Sequence, residues 1–231
     1  MKSRFGLLLL SICFVTIGCS APTVFNLETT DSEYNYHKGN KVVWREDSIA
    51  TTLLNFEYHE GEYFSFYTEI TNNSNSTYLV DPALFYAEII KPSSKGIAVI
   101  DPELKIKQIE DEIRDTESSK EAAIGMNIIF GLFNVVADIA SDAPPEEVVD
   151  DVAFWGTSAH NEAVEHDIAK ENLHNLKLYW EKNVLRKTTL APGDYIGGLF
   201  YLPVQYDAEL LKLVVKVAET EHKFIFEQRG I

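Results

Sequence analysis

Two parts of the chain, residues 41–102 and 183–231, alternate hydrophobic and polar positions with a period of two. In the stretch "YFSFYTEIT", Phe64, Phe66 and Ile70 alternate with more polar neighbours. Successive side chains of a strand point to opposite faces of its sheet, so this alternation predicts a half-buried β-strand. β-branched and aromatic residues are frequent in both parts, and turn-forming residues separate the runs. We predict six to eight short strands, divided between the two parts.

Residues 103–182, between these parts, follow a helical period instead. The segment "PELKIKQIEDEIRDTESSKEAAIG" places Ile106, Ile109 and Ile113 three or four positions apart among charged residues, which is the pattern of an amphipathic helix. From Asp101 to Lys182 there are 19 acidic and 7 basic residues, so the segment carries most of the chain's acidic excess. The same spacing returns towards its end, at His166, Ala169, Leu173, Leu176 and Trp180.

These patterns predict an α+β protein with one β body. The body is an Ig-like antiparallel β-sandwich formed by residues 41–102 and 183–231, and an acidic helical insertion of at least two packed helices, residues 103–182, interrupts it. A helical hairpin suits such an insertion because its two ends lie close together. In the second part of the body, Gly197 and Gly198 predict either a β-bulge or a close backbone approach.

The most apolar part of the insertion is the stretch from Ala122 to Ala140. Hydrophobic residues cover most of the surface of a helix here, so the helix must be buried on several sides. One interpretation buries it between the other helix and the sandwich. The alternative is contact with a partner, with a second copy of the chain or with a membrane, and Phe130, Phe133 and Val136 are the candidate contact residues.

The first eighteen residues have the composition of a secretory leader. Lys2 and Arg4 precede an apolar run that is too short to span a bilayer, so we exclude residues 1–18 from the fold as a signal peptide. Residues 19–40 contain many turn formers and little periodicity, and we predict a tether there.

The residues "TIGC", which end at Gly18 and Cys19, resemble the lipobox of bacterial lipoproteins, although Thr16 stands where that motif usually has Leu. The resemblance implies cleavage between Gly18 and Cys19, a diacylglycerol on the Cys19 sulfur and an acyl chain on its new amine. Two or more acyl chains anchor a protein stably. The residue after Cys19 is Ser20 and not the Asp that resembles an inner-membrane retention signal. The outer membrane is therefore the favoured destination in a Gram-negative cell.

The segments "WREDSIATTLLNFEYHEGEYFSFYTEITNNSNSTYLVDP" and "LRKTTLAPGDYIGGLFYLP" resemble uncharacterised lipoproteins of the Gram-negative cell envelope that have an Ig-like body. This resemblance implies a fold and a location but no activity. It covers only strand segments on the two sides of the predicted insertion.

Charge and cysteine content narrow the range of functions. The formal charge is −16, and it becomes −18 once Lys2 and Arg4 leave with the leader. Such a charge argues against nucleic-acid binding and favours solubility or cationic partners. Cys13 would leave with the leader and Cys19 would be a thioether, so a mature chain would have no disulfide and would depend on its core.

Candidate chemical sites are few. Glu171 and His174 have the Glu-x-x-His spacing of di-iron bundles, and Glu162 and His166 share a helix face, but such a site needs a second motif of this kind. These four residues are therefore weak metal candidates, and we predict no cofactor. The carboxylate pairs Glu57 with Glu60 and Glu62 with Glu69 could in principle serve a glycosidase, but a solvated strand face is the default interpretation. No Gly-x-Ser-x-Gly motif is present.

Together these observations predict a lipid-anchored protein of the cell envelope without enzymatic activity. Its sandwich would present the helical arm to a protein partner or to a second copy of the chain. The alternative is a metal-binding or catalytic module that uses the Glu and His residues of the insertion.

Overall fold

The computed structural model describes residues 24–118 and 161–231. In these residues the protein consists mostly of antiparallel β-sheet, with two α-helices and one short 3-10 helix, Pro82–Leu84. The helices are α1 (Pro102–Ser118) and α2 (Asn161–Lys182). The strands are β1 (Phe25–Thr29), β2 (Asn35–His37), β3 (Asn40–Glu46), β4 (Ala50–Glu60), β5 (Tyr63–Asn72), β6 (Tyr78–Val80), β7 (Tyr86–Lys91), β8 (Lys95–Ala98), β9 (Thr188–Leu190), β10 (Tyr195–Pro203), β11 (Leu210–Val217) and β12 (Thr220–Gly230).

Two five-stranded sheets make up most of the β structure. The first has the order β1-β12-β11-β7-β8, the second has the order β10-β5-β4-β3-β2, and β6 pairs with β9. Each of the three sheets joins strands that precede α1 to strands that follow α2. The two flanking parts of the chain therefore form one β body, because each sheet contains strands from both.

The inner faces of the two sheets share one hydrophobic core in a sandwich-like arrangement. Phe66 of β5 lies parallel to Phe200 of β10, with 5.4 Å between the ring centroids, and meets Phe226 of the opposite sheet edge-on at 5.5 Å. The alternation in β5 confirms its predicted inward residues, because Phe64, Phe66 and Ile70 are all buried. Aromatic pairs of this kind add to the energy of area burial alone.

The two helices pack against each other and against the outer face of the second sheet. Ile106, Ile109 and Ile113 of α1 meet Leu173 and Leu176 of α2, as the helical spacing predicts. Lys177 of α2 adds an ion pair of 2.9 Å to Glu110 of α1. Tyr201 of β10 belongs to the same cluster, so the helices continue the core beyond the sheet. Neither helix of the described residues has the length and apolar character needed to cross a membrane.

The prediction of an irregular tether over residues 19–40 is wrong for the part that the structure describes. β1 pairs with β12 along its whole length, and Leu27 is buried in the core. The backbone N–H of Phe25 also donates to Nδ1 of His59 at 2.9 Å. β1 is an edge strand with a single buried side chain, so its hydrophobic pattern is too sparse to identify it.

Of the two interpretations of Gly197 and Gly198, the structure confirms the close backbone approach. The pairing of β10 with β5 runs without a shift in register, so no bulge is present there. A Cβ atom on Gly198 would lie 2.7 Å from the backbone N of Leu185. Hydrogen bonds hold this approach, because Leu185 N donates to Leu199 O at 2.7 Å and Leu199 N donates to Asn183 O at 2.9 Å.

Candidate functional site

A pocket of about 460 Å³ opens between the N-terminal part of α1, the end of α2 and the edge of the β body. Trp180 of α2 and Tyr63 of β5 line it together with Leu104, Lys105 and other residues of α1 and of the chain before it. The helix cluster explains its position, because Ile106 and Ile109 pull α1 onto the sheet while the neighbouring positions 104, 105 and 108 face the opening. The remaining lining residues are Ala83, Ala98, Val99, Ile100, Asp101 and Gln108.

Two residues that line this pocket, Trp180 and Lys105, carry donor groups without a partner among the described residues. Trp180 is fully buried, and its Nε1–H has no hydrogen-bond partner among the described residues. Lys105 forms no ion pair within 4 Å in that part of the chain, and burial lowers the pKa of Lys105 while the charge of Glu112 opposes the shift. By contrast, hydrogen bonds to Glu110 and to Asp81 raise the pKa values of Lys177 and Lys187.

The acidic groups around the opening are already engaged. Asp101 caps α1, since its Oδ1 accepts from the backbone N–H groups of Glu103 at 2.9 Å and of Leu104 at 3.3 Å. Glu103 binds Arg186 at 2.7 Å (Oε1 to Nε), and the hydrogen bond from Arg186 lowers the pKa of Glu103. Of the two charged residues that line the pocket, Asp101 accepts hydrogen bonds and Lys105 has no ion-pair partner among the described residues.

Three tyrosines form a buried hydroxyl cluster where α2 meets the second sheet. The hydroxyls of Tyr179 and Tyr201 are 2.5 Å apart, and the hydroxyl of Tyr58 of β4 is buried near them without a hydrogen-bond partner among the described residues. Burial raises the pKa of Tyr179 and of Tyr201 well above the usual value, so both stay neutral. This cluster joins α2 to the sheet by hydrogen bonds in addition to apolar contact.

A second polar cluster connects the two sheets. His222 of β12 is buried, with Nδ1 2.8 Å from Oγ1 of Thr52 and Nε2 3.2 Å from Oδ2 of Asp47. The order Asp, His, Thr is that of a nucleophilic triad, but Thr52 is completely buried and no substrate reaches its hydroxyl. The cluster therefore holds β12 to β4.

Asp47 accepts four hydrogen bonds in this cluster. Burial by itself would raise the pKa of Asp47, but the backbone N–H of Ala50, the Thr220 hydroxyl, the backbone N–H of Ile49 and His222 together hold that pKa well below its usual 3.8. Two of these bonds are 2.7 Å long, from Ile49 N and from Thr220 Oγ1. Asp47 consequently closes the β3–β4 turn and ties it to β12.

Because the folded-state pKa of Asp47 is lowered, its stabilising contribution is complete above about pH 5 and is lost as pH falls through 3.8 towards the folded-state value. A hydrogen bond to a charged group contributes about 1.5–3 kcal/mol, and Asp47 is about one third exposed, so we expect Asp47→Asn to cost about 1 kcal/mol near pH 6. Urea unfolding at pH 6 and pH 3 measures this, and the difference between variant and wild type should shrink at pH 3. A difference that stays constant would contradict the assignment.

The predicted metal candidates do not come together in the described residues. Glu171 and His174 lie on α2 with both side chains exposed to solvent, while Glu162 and His166 also belong to α2 but their side-chain surroundings lie outside what the structure describes. Within residues 24–118 and 161–231, no three His, Cys, Asp or Glu side chains are arranged to hold a metal ion. Gly18, Cys19, Phe130, Phe133 and Val136 lie outside the described residues.

The paired strand carboxylates behave as structural or surface groups. Glu57 accepts from the side-chain amides of Asn40 at 3.0 Å and of Asn55 at 2.6 Å, which links β3 to β4. Glu62 is exposed in the β4–β5 turn. Sequence reasoning missed the pocket residues Lys105 and Trp180. The available signal was the position of Lys105, next to Ile106 and Ile109 on the buried side of an amphipathic helix.

Comparison with known proteins adds no assignment. No family model matches the chain, and neither the curated proteins nor the solved structures include a significant match.

Proposed function

We propose that the protein is a lipid-anchored protein of the cell envelope, with an Ig-like sandwich as its body and a helical arm that interacts with other molecules. It is non-enzymatic in this proposal. The observation that carries the proposal is the Gly18-Cys19 box directly after a short apolar run and directly before the folded body. The outer membrane is the proposed location.

The division into body and insertion is supported by where the helices join the sheets. α1 begins two residues after Ile100, whose N–H donates to Tyr201 O at 2.9 Å, and α2 ends just before Asn183, whose carbonyl accepts from Leu199 N. The ion pair between Glu103 and Arg186 bridges the two junctions. The chain thus leaves and re-enters the body at neighbouring points, as an insertion into an Ig-like sandwich requires.

Because β1 begins at Phe25, the lipid anchor would hold the β body close to the membrane. Only five residues separate Cys19 from Phe25, and an extended chain covers at most about 3.6 Å per residue, so the body would be held within about 20 Å of the lipidated cysteine. Phe25 is also fixed to His59, and its ring packs on Tyr206 at 5.8 Å between centroids. The end of the sandwich that carries the β4–β5 turn would face the membrane.

The anchor is tested by Cys19→Ala in intact cells. We expect the variant to remain as an unprocessed precursor or to leave the membrane fraction, because acyl chains contribute about 0.8 kcal/mol for every buried CH₂ group. Fractionation, with the apparent mass measured on a gel, gives the result. Cys13→Ala is the matched control, since Cys13 lies within the proposed leader and its loss should change nothing. Mature, membrane-bound Cys19→Ala protein would contradict the proposal.

The partner surface remains a proposal from the sequence. Phe130, Phe133 and Val136 are its candidate residues, and the proposed partner is a protein or a second copy of the chain. The metal-binding alternative has only the spacing of Glu162, His166, Glu171 and His174 as support. In the described residues, Glu171 and His174 do not lie together with further side chains that could bind a metal. The structure therefore adds no support for the metal-binding alternative.

A further inference from the structure

The pocket beside α1 has the size and wall composition of a small-molecule site. Its volume of about 460 Å³ lies in the range of about 300–1,000 Å³ that is typical of ligand pockets. Ala83, Ala98 and Ile100 give the pocket apolar walls. Leu104 extends these walls at the rim and is 58% exposed. A ligand with an apolar part would cover this exposed leucine.

The donor groups in the pocket lining favour a ligand that carries a hydrogen-bond acceptor. Tyr63, Lys105 and Trp180 line the pocket and carry N–H or O–H donors, and none of these donors has a hydrogen-bond or ion-pair partner among residues 24–118 and 161–231. Buried or half-buried donors are normally paired, and each unpaired one is costly. A bound acceptor with negative charge would satisfy Lys105 and remove this cost.

Cationic ligands fit the pocket poorly. The carboxylate of Asp101 is occupied as the cap of α1, and that of Glu103 is neutralised by Arg186. Glu112 interacts with Lys105 only through its charge, at no ion-pair distance, so it does not replace a direct acceptor. The lining therefore offers the ammonium group of Lys105 without an ion-pair partner among the described residues, while the carboxylate of Asp101 in the lining already accepts two hydrogen bonds through Oδ1.

We propose that this pocket binds a small organic carboxylate, whose charged group is held by Lys105 and whose apolar part packs against Leu104. Tyr63 donates a further hydrogen bond to the bound group. The site is independent of the lipid anchor, because it is formed entirely by residues of the body and of the two helices.

Cyclohexanecarboxylate is a suitable probe, and cyclohexanecarboxamide is the matched neutral compound with the same ring. Both are titrated at pH 7 into the full-length chain in detergent micelles and followed by saturation-transfer NMR. We expect saturable binding of the carboxylate, at least tenfold tighter than that of the carboxamide. Equal affinities, or no saturable binding of the carboxylate, would overturn the proposal.

Two variants assign the binding to this pocket. Lys105→Met keeps the aliphatic stem and should weaken carboxylate binding at least tenfold, since a charge-assisted hydrogen bond is lost. Lys107→Met is the control, because Lys107 is exposed on the same helix and does not line the pocket. Unchanged binding by Lys105→Met, or an equal loss in Lys107→Met, would contradict the site.

Ala98→Leu provides a test that leaves Lys105 in place. Ala98 is exposed on β8 and lines the pocket, so a larger side chain there should fill the space without disturbing the core. We expect binding of the carboxylate to be lost while circular dichroism stays unchanged. If Lys105→Met fails to fold, the Ala98→Leu variant is the deciding test. Unchanged carboxylate binding by Ala98→Leu would refute the proposal.

Discussion

Trp180→Ala is expected to destabilise the protein by about 3–5 kcal/mol, which is the usual cost of truncating a large buried aromatic side chain. Trp180 is fully buried in the cluster between the helices and the second sheet, and its ring lies 5.2 Å from that of Tyr201. Domains have a net stability of about 5–15 kcal/mol, so this loss is a large fraction of the total. Urea unfolding followed by circular dichroism measures it, and a midpoint close to that of the wild type would show that the helix–sheet cluster is not a core.

Two matched variants separate lost packing from other effects of the Trp180 substitution. Leu178→Ala changes a residue that is 46% exposed on the same helix, so it should cost less than about 1 kcal/mol. Trp180→Phe keeps much of the apolar area and removes an indole N–H without an acceptor, so its cost should lie between those of the two alanine variants. Equal losses in Leu178→Ala and Trp180→Ala would contradict the burial argument.

The second large effect is expected for Gly198→Ala, with a loss of about 2–4 kcal/mol. The new Cβ would lie 2.7 Å from Leu185 N and 2.9 Å from Leu185 Cα, and neither backbone atom can rotate away. The segment after α2 would have to move, which breaks the hydrogen bonds from Leu185 N to Leu199 O and from Leu199 N to Asn183 O at about 1 kcal/mol each and adds the strain of overpacking. Thermal unfolding should show a lower midpoint, with a change of several degrees.

Gly197→Ala is the matched control for this prediction. The neighbour of its Cβ would be the hydroxyl of Tyr67 at 2.5 Å, which is the far end of a side chain that is 37% exposed and can turn towards solvent. Alanine also restricts the unfolded chain more than glycine does, which favours folding by about 0.4–1 kcal/mol. We expect Gly197→Ala to be close to neutral. If the two alanine variants lose the same stability, the close approach at Gly198 is not the cause.

Predictions from periodicity were most successful where one face of an element meets a continuous core. β5 alternates because its inner residues Phe64, Phe66 and Ile70 reach the shared core of the two sheets. α1 repeats every three or four residues because one stripe meets α2. β1 was predicted as part of a tether because Leu27 is its only buried residue, and pairing with β12 supplies the rest of its stabilisation.

The polar sites could not be predicted in the same way. His222 and Asp47 are 175 positions apart, and Thr52 reaches His222 only because the two sheets face each other. The pocket joins Tyr63, Ala98, Lys105 and Trp180, which come from two strands and two helices. Apart from the position of Lys105 beside the apolar stripe of α1, these residues have no unusual local pattern, so the sequence does not bring them together as one site.

The sequence by itself determined the strand and helix periodicity, the acidic middle segment and the resemblance of Gly18-Cys19 to a lipobox. Each of these depends on residues that are near one another in the chain, where sterics and periodicity act directly. The tertiary structure alone decided which strands pair, that β1 belongs to the body, and that Lys105 and Trp180 share one pocket. Those features depend on contacts between distant segments, which form only when burial of the shared core brings the two parts of the chain together.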